Sequence, residues 1–290
     1  MTTAAQRAPT SAVRTLGVIP LVVAFAALAV PTTFTLMKQQ WSQDAGAHGP
    51  IILAAGGWLL WRQRPEFAKQ AVPGRPALSF AVLILSLLLY VFGRAYDFLT
   101  LEAAGLYGVG LAMLHTRLGV RAMLKAWFPF VFLSFAIPPP HWIIDSFTAP
   151  LKEFVSFVSA GGLAAVGLPV ARQGVTIFVA QYQLLVEDAC SGMNSLIGLT
   201  AISLLYIYLT RGSSLVYSLV LTAFVIPIAV AANIVRIVIL ILLTYYGGDA
   251  VAQGFLHFTA GIVLFATALM LVFALDRGLA LAWPAVSRAR

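Results

Sequence analysis

Charge is what this chain has least of: Asp, Glu, Lys and Arg together make up 10% of its 290 residues, against 61% hydrophobic residues. Composition so skewed, with a mean hydropathy of +0.94, excludes an ordinary soluble domain. The formal charge of +8 does not point to nucleic acid, because the basic residues stand singly between apolar runs and form no dense stripe. There is one cysteine, Cys190, so no internal disulfide is possible. No metal-ligand spacing of His, Cys and carboxylates occurs, and no glycine-rich phosphate loop precedes a helix, so neither a metal nor another cofactor is expected. Tandem repeats and low-complexity tracts are also lacking, and a single membrane domain over residues 1–290 is the simplest expectation.

What is present is a series of long apolar windows. A spanning helix needs about 20 mostly apolar residues. Residues 15–37, 76–93, 98–115, 120–137, 192–210, 214–243 and 255–276 meet or approach that length, and 48–61 is a shorter candidate. The fold class read from them is an all-α polytopic membrane protein of about eight transmembrane helices. With both termini cytoplasmic, thirteen of the eighteen basic residues fall on the inner side. Only Lys38, Arg94, Lys152 and Arg172 fall outside, as the positive-inside rule requires, and Arg236, within a span, belongs to neither count. The first window lacks a small-residue cleavage site and reads as an anchor. The location that follows is the cytoplasmic (inner) membrane.

One connection breaks the pattern of short loops. Residues 138–190 open with the helix-stopping IPPPHW and form an extracytoplasmic loop of some fifty residues. Within it Phe147, Leu151, Phe154 and Val158 recur at helical spacing and predict an interfacial helix. A ninth span over 143–168 is the alternative, with Lys152 and Glu153 then well inside it. Next, GVTIFV (174–179) and YQLLVE (182–187) predict a small β-hairpin that leads into the cysteine.

Three residues carry the candidate chemistry. Cys190 stands at a strand-to-helix joint, and a lone outer thiol is either a small buried hydrophobe or a nucleophile kept despite its exposure to oxidation. Arg236 lies in a segment apolar for almost thirty residues, where a guanidinium needs a partner or a wet cavity. His257 opens the last window from the outer side. All three fall near the outer boundary of consecutive spans. There a Cys–His pair supports acyl transfer, with the imidazole holding the thiolate and protonating the leaving amine and the Arg stabilising the oxyanion.

Supporting candidates surround them. Asn233 shares a helix face with Arg236, three positions away. Asn194, four residues after Cys190, either orients the histidine or substrate or makes a helix-packing hydrogen bond. Glu187 and Asp188 either fix the tautomer of His257 or are solvated charges at the hairpin end. His48, His115 and His141 read as markers of span ends.

The boxes Ala189-Cys190-Ser191-Gly192, Asn233-Ile234-Val235-Arg236 and His257, in this order, resemble the exosortase/archaeosortase family of membrane cysteine transpeptidases. The resemblance covers about residues 75–276. It implies Cys190 as nucleophile, His257 as general acid/base and Arg236 as the carbonyl contact. It also implies substrates of the PEP-CTERM kind: exported proteins whose C-terminal sorting signal of motif, transmembrane helix and basic tail is cut on the outer face. Transfer to an acceptor nucleophile is implied by the resemblance alone. Many bacterial members carry a further C-terminal domain, and the chain ends soon after Arg277, so the subtype stays open. Two rival readings are an anion or small-solute transporter using Arg236 and a scaffold of an envelope polysaccharide assembly. Thiol dependence separates the enzyme from both.

Overall fold

Many large apolar side chains of this chain stand exposed, while several small and polar ones, Thr32, Ser86 and Glu102 among them, are buried. In a computed structural model that describes residues 19–42, 48–185, 194–211 and 215–282, helix dominates. Four helices are long and apolar enough to cross a membrane: Ile19–Trp41, Pro76–Ala95, Leu219–Gly247 and Ile262–Leu281. Ile197–Thr210 is a shorter apolar helix. The chain is therefore a multi-pass, mostly helical membrane protein, with four rather than eight helices reaching spanning length and hydropathy among the described residues. It divides into two compact units.

The first unit comprises residues up to Gln40 and Arg62–Trp127. It holds α1 (Ile19–Leu36), a short α3 (Arg64–Gln70), α4 (Pro76–Ala95) and α5 (Leu99–Lys125), while α2 (Gly49–Arg62) lies almost wholly in the second unit. Pro at the first helical position starts α4, where its missing N–H costs nothing. The antiparallel pair α4–α5 is built on a small-residue seam, with Ser86 facing Gly105 and Gly108 and Gly93 facing the backbone at Glu102. On the opposite side of α4, Phe80, Ile84, Leu88 and Val91 are more than half exposed, as lipid-facing residues are. Without a hydrophobic drive between helices in lipid, close backbone approach and polar contacts must supply the cohesion. Both are present. The buried Glu102 accepts hydrogen bonds from Thr32 Oγ1 (2.7 Å) and Arg94 Nη1 (3.0 Å), and Tyr90 OH donates to the Leu28 carbonyl (3.1 Å), tying α1 to the pair.

The expected windows 98–115 and 120–137 meet at a real corner. Gly119 interrupts α5 with φ +70° and ψ 165°, a conformation open to glycine but costly to L side chains. The chain then continues only as far as α6 (Trp127–Ser134), eight residues long. His115, expected at a span end, is buried and lies 2.7 Å from Ser79 through its Nδ1.

The second unit comprises Trp41–Trp61 and Phe128–Arg290. The loop helix is α7 (His141–Ala165), which continues through Pro150. Its buried side is Val155, Ser156, Ser159, Ala160 and Leu163, whereas Phe154, part of the predicted apolar face, is 51% exposed. The helix is present as expected, and it packs Val155, Leu163 and a run of small residues into the protein while leaving Phe154 of the predicted apolar face open.

After it, β1 (Val170–Gln173), β2 (Thr176–Val179) and β3 (Tyr182–Leu185) form an antiparallel sheet in sequential order. The predicted hairpin is β2–β3, with Val179 opposite Tyr182. Its turn places Ala180 at φ 52°, a strained position for a side chain. The residues Gly174 and Val175, expected in the strand, instead make a two-residue turn to the additional strand β1, with Gly174 at φ 61°. Alternation buries Ile177 and Val179 on one face.

That face joins Val155, Ala160 and Leu163 of α7 in a core completed by Ile237, Leu240 and Ile241, which belong to α9 (Leu215–Gly247). Helices α8 (Asn194–Arg211), α9 and α11 (Ala260–Ala282) form the remaining bundle, and α10 (Asp249–Phe258) links the last two. At one end of it, Asp276 accepts from Tyr206 OH (3.0 Å) and Tyr217 OH (2.9 Å), joining all three helices through one buried carboxylate.

The seam predicts an asymmetry between glycines. A methyl group at Gly105 would fall 2.5 Å from Tyr90 N and 2.7 Å from the Ser86 carbonyl, and backbone cannot move aside cheaply. Gly105→Ala should lower stability by about 1–3 kcal/mol. Gly57→Ala in α2, where nothing lies within 4 Å, should be neutral or stabilising by up to about 1 kcal/mol. Thermal unfolding of the detergent-purified protein measures both, and equal losses would refute the tight seam.

Candidate functional site

Arg236 is 3% exposed, and so is Asn233, three residues earlier on the same face of α9. Below them on that helix, Ala229 and Ala232 are small enough to let α8 and α11 approach, and they pack with Leu199, Leu264 and Ala268. Above them, one turn on, Leu240 enters the core beneath the sheet. Arg236 thus occupies the junction between a seam of small residues and a sheet-covered apolar core.

The packing fixes the direction of each neighbouring helix. Ile207 of α8 clusters with Tyr217, Leu221 and Val225 of α9, while Leu199 clusters with Ala229 and Ala232, so α8 and α9 are antiparallel. The same two clusters pair Leu275 and Leu279 with the start of α9 and Leu264 and Ala268 with its middle, so α11 is antiparallel to α9 as well. At 1.5 Å per residue, Asn194 lies about 7 Å beyond Leu199 and Arg236 about 6 Å beyond Ala232, which brings them to one level. His257, in the last turn of α10, precedes Leu264 by seven residues and belongs to the same end of the bundle.

Of the predicted site residues, the structure therefore brings Asn233 and Arg236 together on α9 and sets the first residue of α8, Asn194, and the α10 backbone at His257 at their end of the unit. Cys190, Glu187 and Asp188 lie outside the described residues, in the connection between β3 and α8.

Two polar residues of this unit were given no site role by sequence reasoning. Ser159 is 1% exposed on the side of α7 that packs against α9, and its hydroxyl has no hydrogen-bond partner among the described residues. Buried hydroxyls are ordinarily satisfied, so this one marks an uncommitted polar group on a wall of α9. The other is His48, read from sequence as a span-end marker. Its ring lies directly over Gly198 of α8, where an added methyl would fall 2.7 Å from Cγ. Gly198 is one turn beyond Asn194. Further along, Ile52 and Leu59 of α2 cluster with Ala201, Leu204, Leu205 and Tyr208 of α8, so the two helices run in the same direction. The signal available in the sequence was the glycine, the one residue type that admits an imidazole so close to a helix backbone.

Gly198→Ala should therefore be costly when His48 is present and less so in a His48→Ala background. A double-mutant cycle by thermal unfolding should give a coupling of about 0.5–3 kcal/mol. Additive losses would contradict the contact.

A family model for transmembrane exosortases matches residues 41–274, most of the chain. No curated protein and no solved structure matches it.

Proposed function

The chain belongs to the transmembrane exosortase family, and from that premise we propose that it is a cysteine endopeptidase/transpeptidase that removes C-terminal sorting signals from exported proteins. Its active site would face the periplasm or cell exterior from the cytoplasmic membrane, with both termini inside. Eight membrane passages are the proposed topology, in which the shorter helices complete the crossings that the four long ones begin. The parallel course of α2 and α8 is the direction this topology requires of its second and sixth passages.

In the proposed mechanism, the thiolate of Cys190 attacks the scissile carbonyl carbon, and the C–N bond breaks as His257 protonates the leaving amine. The acyl group remains on sulfur as a thioester. An acceptor nucleophile or water then attacks that thioester, giving its proton to His257 as the C–S bond breaks and the thiolate of Cys190 is regenerated. Arg236 steadies the oxyanion in both half-reactions. A fixed charge in a low-dielectric site stabilises a developing alkoxide far better than it would in water. Asn233 and Asn194 are assigned to positioning, as are Glu187 and Asp188 at the hairpin end. Substrates of the PEP-CTERM kind fit because their transmembrane helix would lie in the bilayer beside the bundle, presenting the motif at the level of Arg236. The observation that carries the reading is the burial of Arg236 and Asn233 at the level shared by the start of α8 and the end of α10.

Mass spectrometry of envelope-protein C-termini tests it, in cells carrying the wild type or Cys190→Ala at equal membrane abundance. Intact hydrophobic, basic-ended tails should accumulate only in the mutant. Arg236→Gln should slow tail removal by about 10²–10³ if it contributes as an oxyanion donor. Identical C-termini in all strains would shift the assignment to an anion transporter or a scaffold.

A further inference from the structure

The two ends of the first unit differ sharply in charge. Helices α4 and α5 are antiparallel, so the start of α4 and the end of α5 lie together, as the Ser79–His115 contact and the hydrogen bond from Val72 N to the Leu118 carbonyl (3.3 Å) record. At this end stand Arg64, Lys69, Arg75, Arg117, Arg121 and Lys125, all exposed. The sole carboxylate there among the described residues is Glu66, which already accepts from Lys69 (3.3 Å) and Gln70 (3.2 Å). At the other end Arg94 is matched by the buried Glu102.

The cations are interleaved with exposed apolar groups. Beyond the Gly119 corner, Val120 (50% exposed), Leu124 (67%) and Trp127 (55%) follow one another at four and three residues, beside Arg121 and Lys125. A soluble acidic partner does not explain three large apolar side chains standing open among the charges. A bilayer interface explains both, because apolar bodies enter the acyl boundary while Arg and Lys heads remain at headgroup level. The Gly119 corner has a use in this setting: it turns the end of α5 out of the course of the preceding helix and presents the two kinds of residue side by side.

We propose that this end of the first unit is a docking surface for anionic phospholipid headgroups, with Arg117, Arg121 and Lys125 meeting the phosphates and Val120, Leu124 and Trp127 seated in the acyl boundary. The surface lies in the leaflet that the positive-inside bias makes cytoplasmic. Its function is to hold α3 and the corner of α5 at a fixed depth, independently of the chemistry assigned to the second unit.

The test is native mass spectrometry of the full chain, delipidated in detergent and titrated with phosphatidylglycerol or phosphatidylcholine. The wild type should retain phosphatidylglycerol preferentially, and the preference should weaken with added salt. Arg117→Gln/Arg121→Gln/Lys125→Gln should reduce it on the order of ten-fold or more while leaving phosphatidylcholine binding unchanged. If the triple variant fails to fold, Arg121→Gln alone and the salt series on the wild type decide. Equal retention of the two lipids, or retention unaffected by salt and by these substitutions, would overturn the proposal. Displacement of the lipid by millimolar inorganic phosphate would identify a free-phosphate site instead, and displacement by polyglutamate an acidic protein partner; either would also overturn it.

Discussion

A guanidinium 3% exposed within a 33-residue apolar helix is the constraint to which the second unit answers. Such a cation is costly in an apolar environment unless polar groups or water reach it. The neighbouring elements are disposed accordingly. Small residues at positions 229 and 232 draw α8 and α11 close just below it, the sheet covers the helix just above it, and α7 offers a buried side carrying Ser156 and Ser159. The buried Arg236 therefore sits between these elements, at the level where α8 begins.

The same economy governs the first unit. Its cohesion comes from close approach at Gly93, Gly105 and Gly108 and from the buried carboxylate of Glu102, while large apolar side chains face outward. Removing the donors of a buried carboxylate is expensive because it leaves an uncompensated polar group. Glu102, held by Arg94 and Thr32, and Asp276, held by two tyrosines in the second unit, thus act as specific pins between helices that would otherwise be free to slide in lipid.

Much of this was legible in the sequence, and the failures share a cause. Hydropathy marked the long helices because a spanning segment must satisfy its own backbone over about 20 residues. The β2–β3 hairpin was legible from its β-branched and aromatic runs, but β1 was not, because VARQ is two apolar residues followed by two polar ones and carries no such signature. The side that α7 packs into the protein was not legible either, because Ser156, Ser159 and Ala160 are small or polar and carry no apolar signature. Sequence patterning learned from soluble proteins seeks large residues inside, whereas seams between helices in lipid are made from small ones. Arg236 was legible because it interrupts a sequence segment apolar for almost thirty residues, while His48 was hidden because its significance depends on Gly198, distant in sequence and adjacent in space.

The proposed function requires the thiol of Cys190 to be activated by Arg236 and His257, and the single cysteine makes that measurable without background from other thiols in the chain. The measurement is the rate of iodoacetamide alkylation against pH in native membranes, for the wild type, Arg236→Gln and His257→Gln. An activated thiol should titrate below the ordinary value of about 8.5, and both substitutions should raise its midpoint. An ordinary titration midpoint, or one indifferent to both substitutions, would contradict the account.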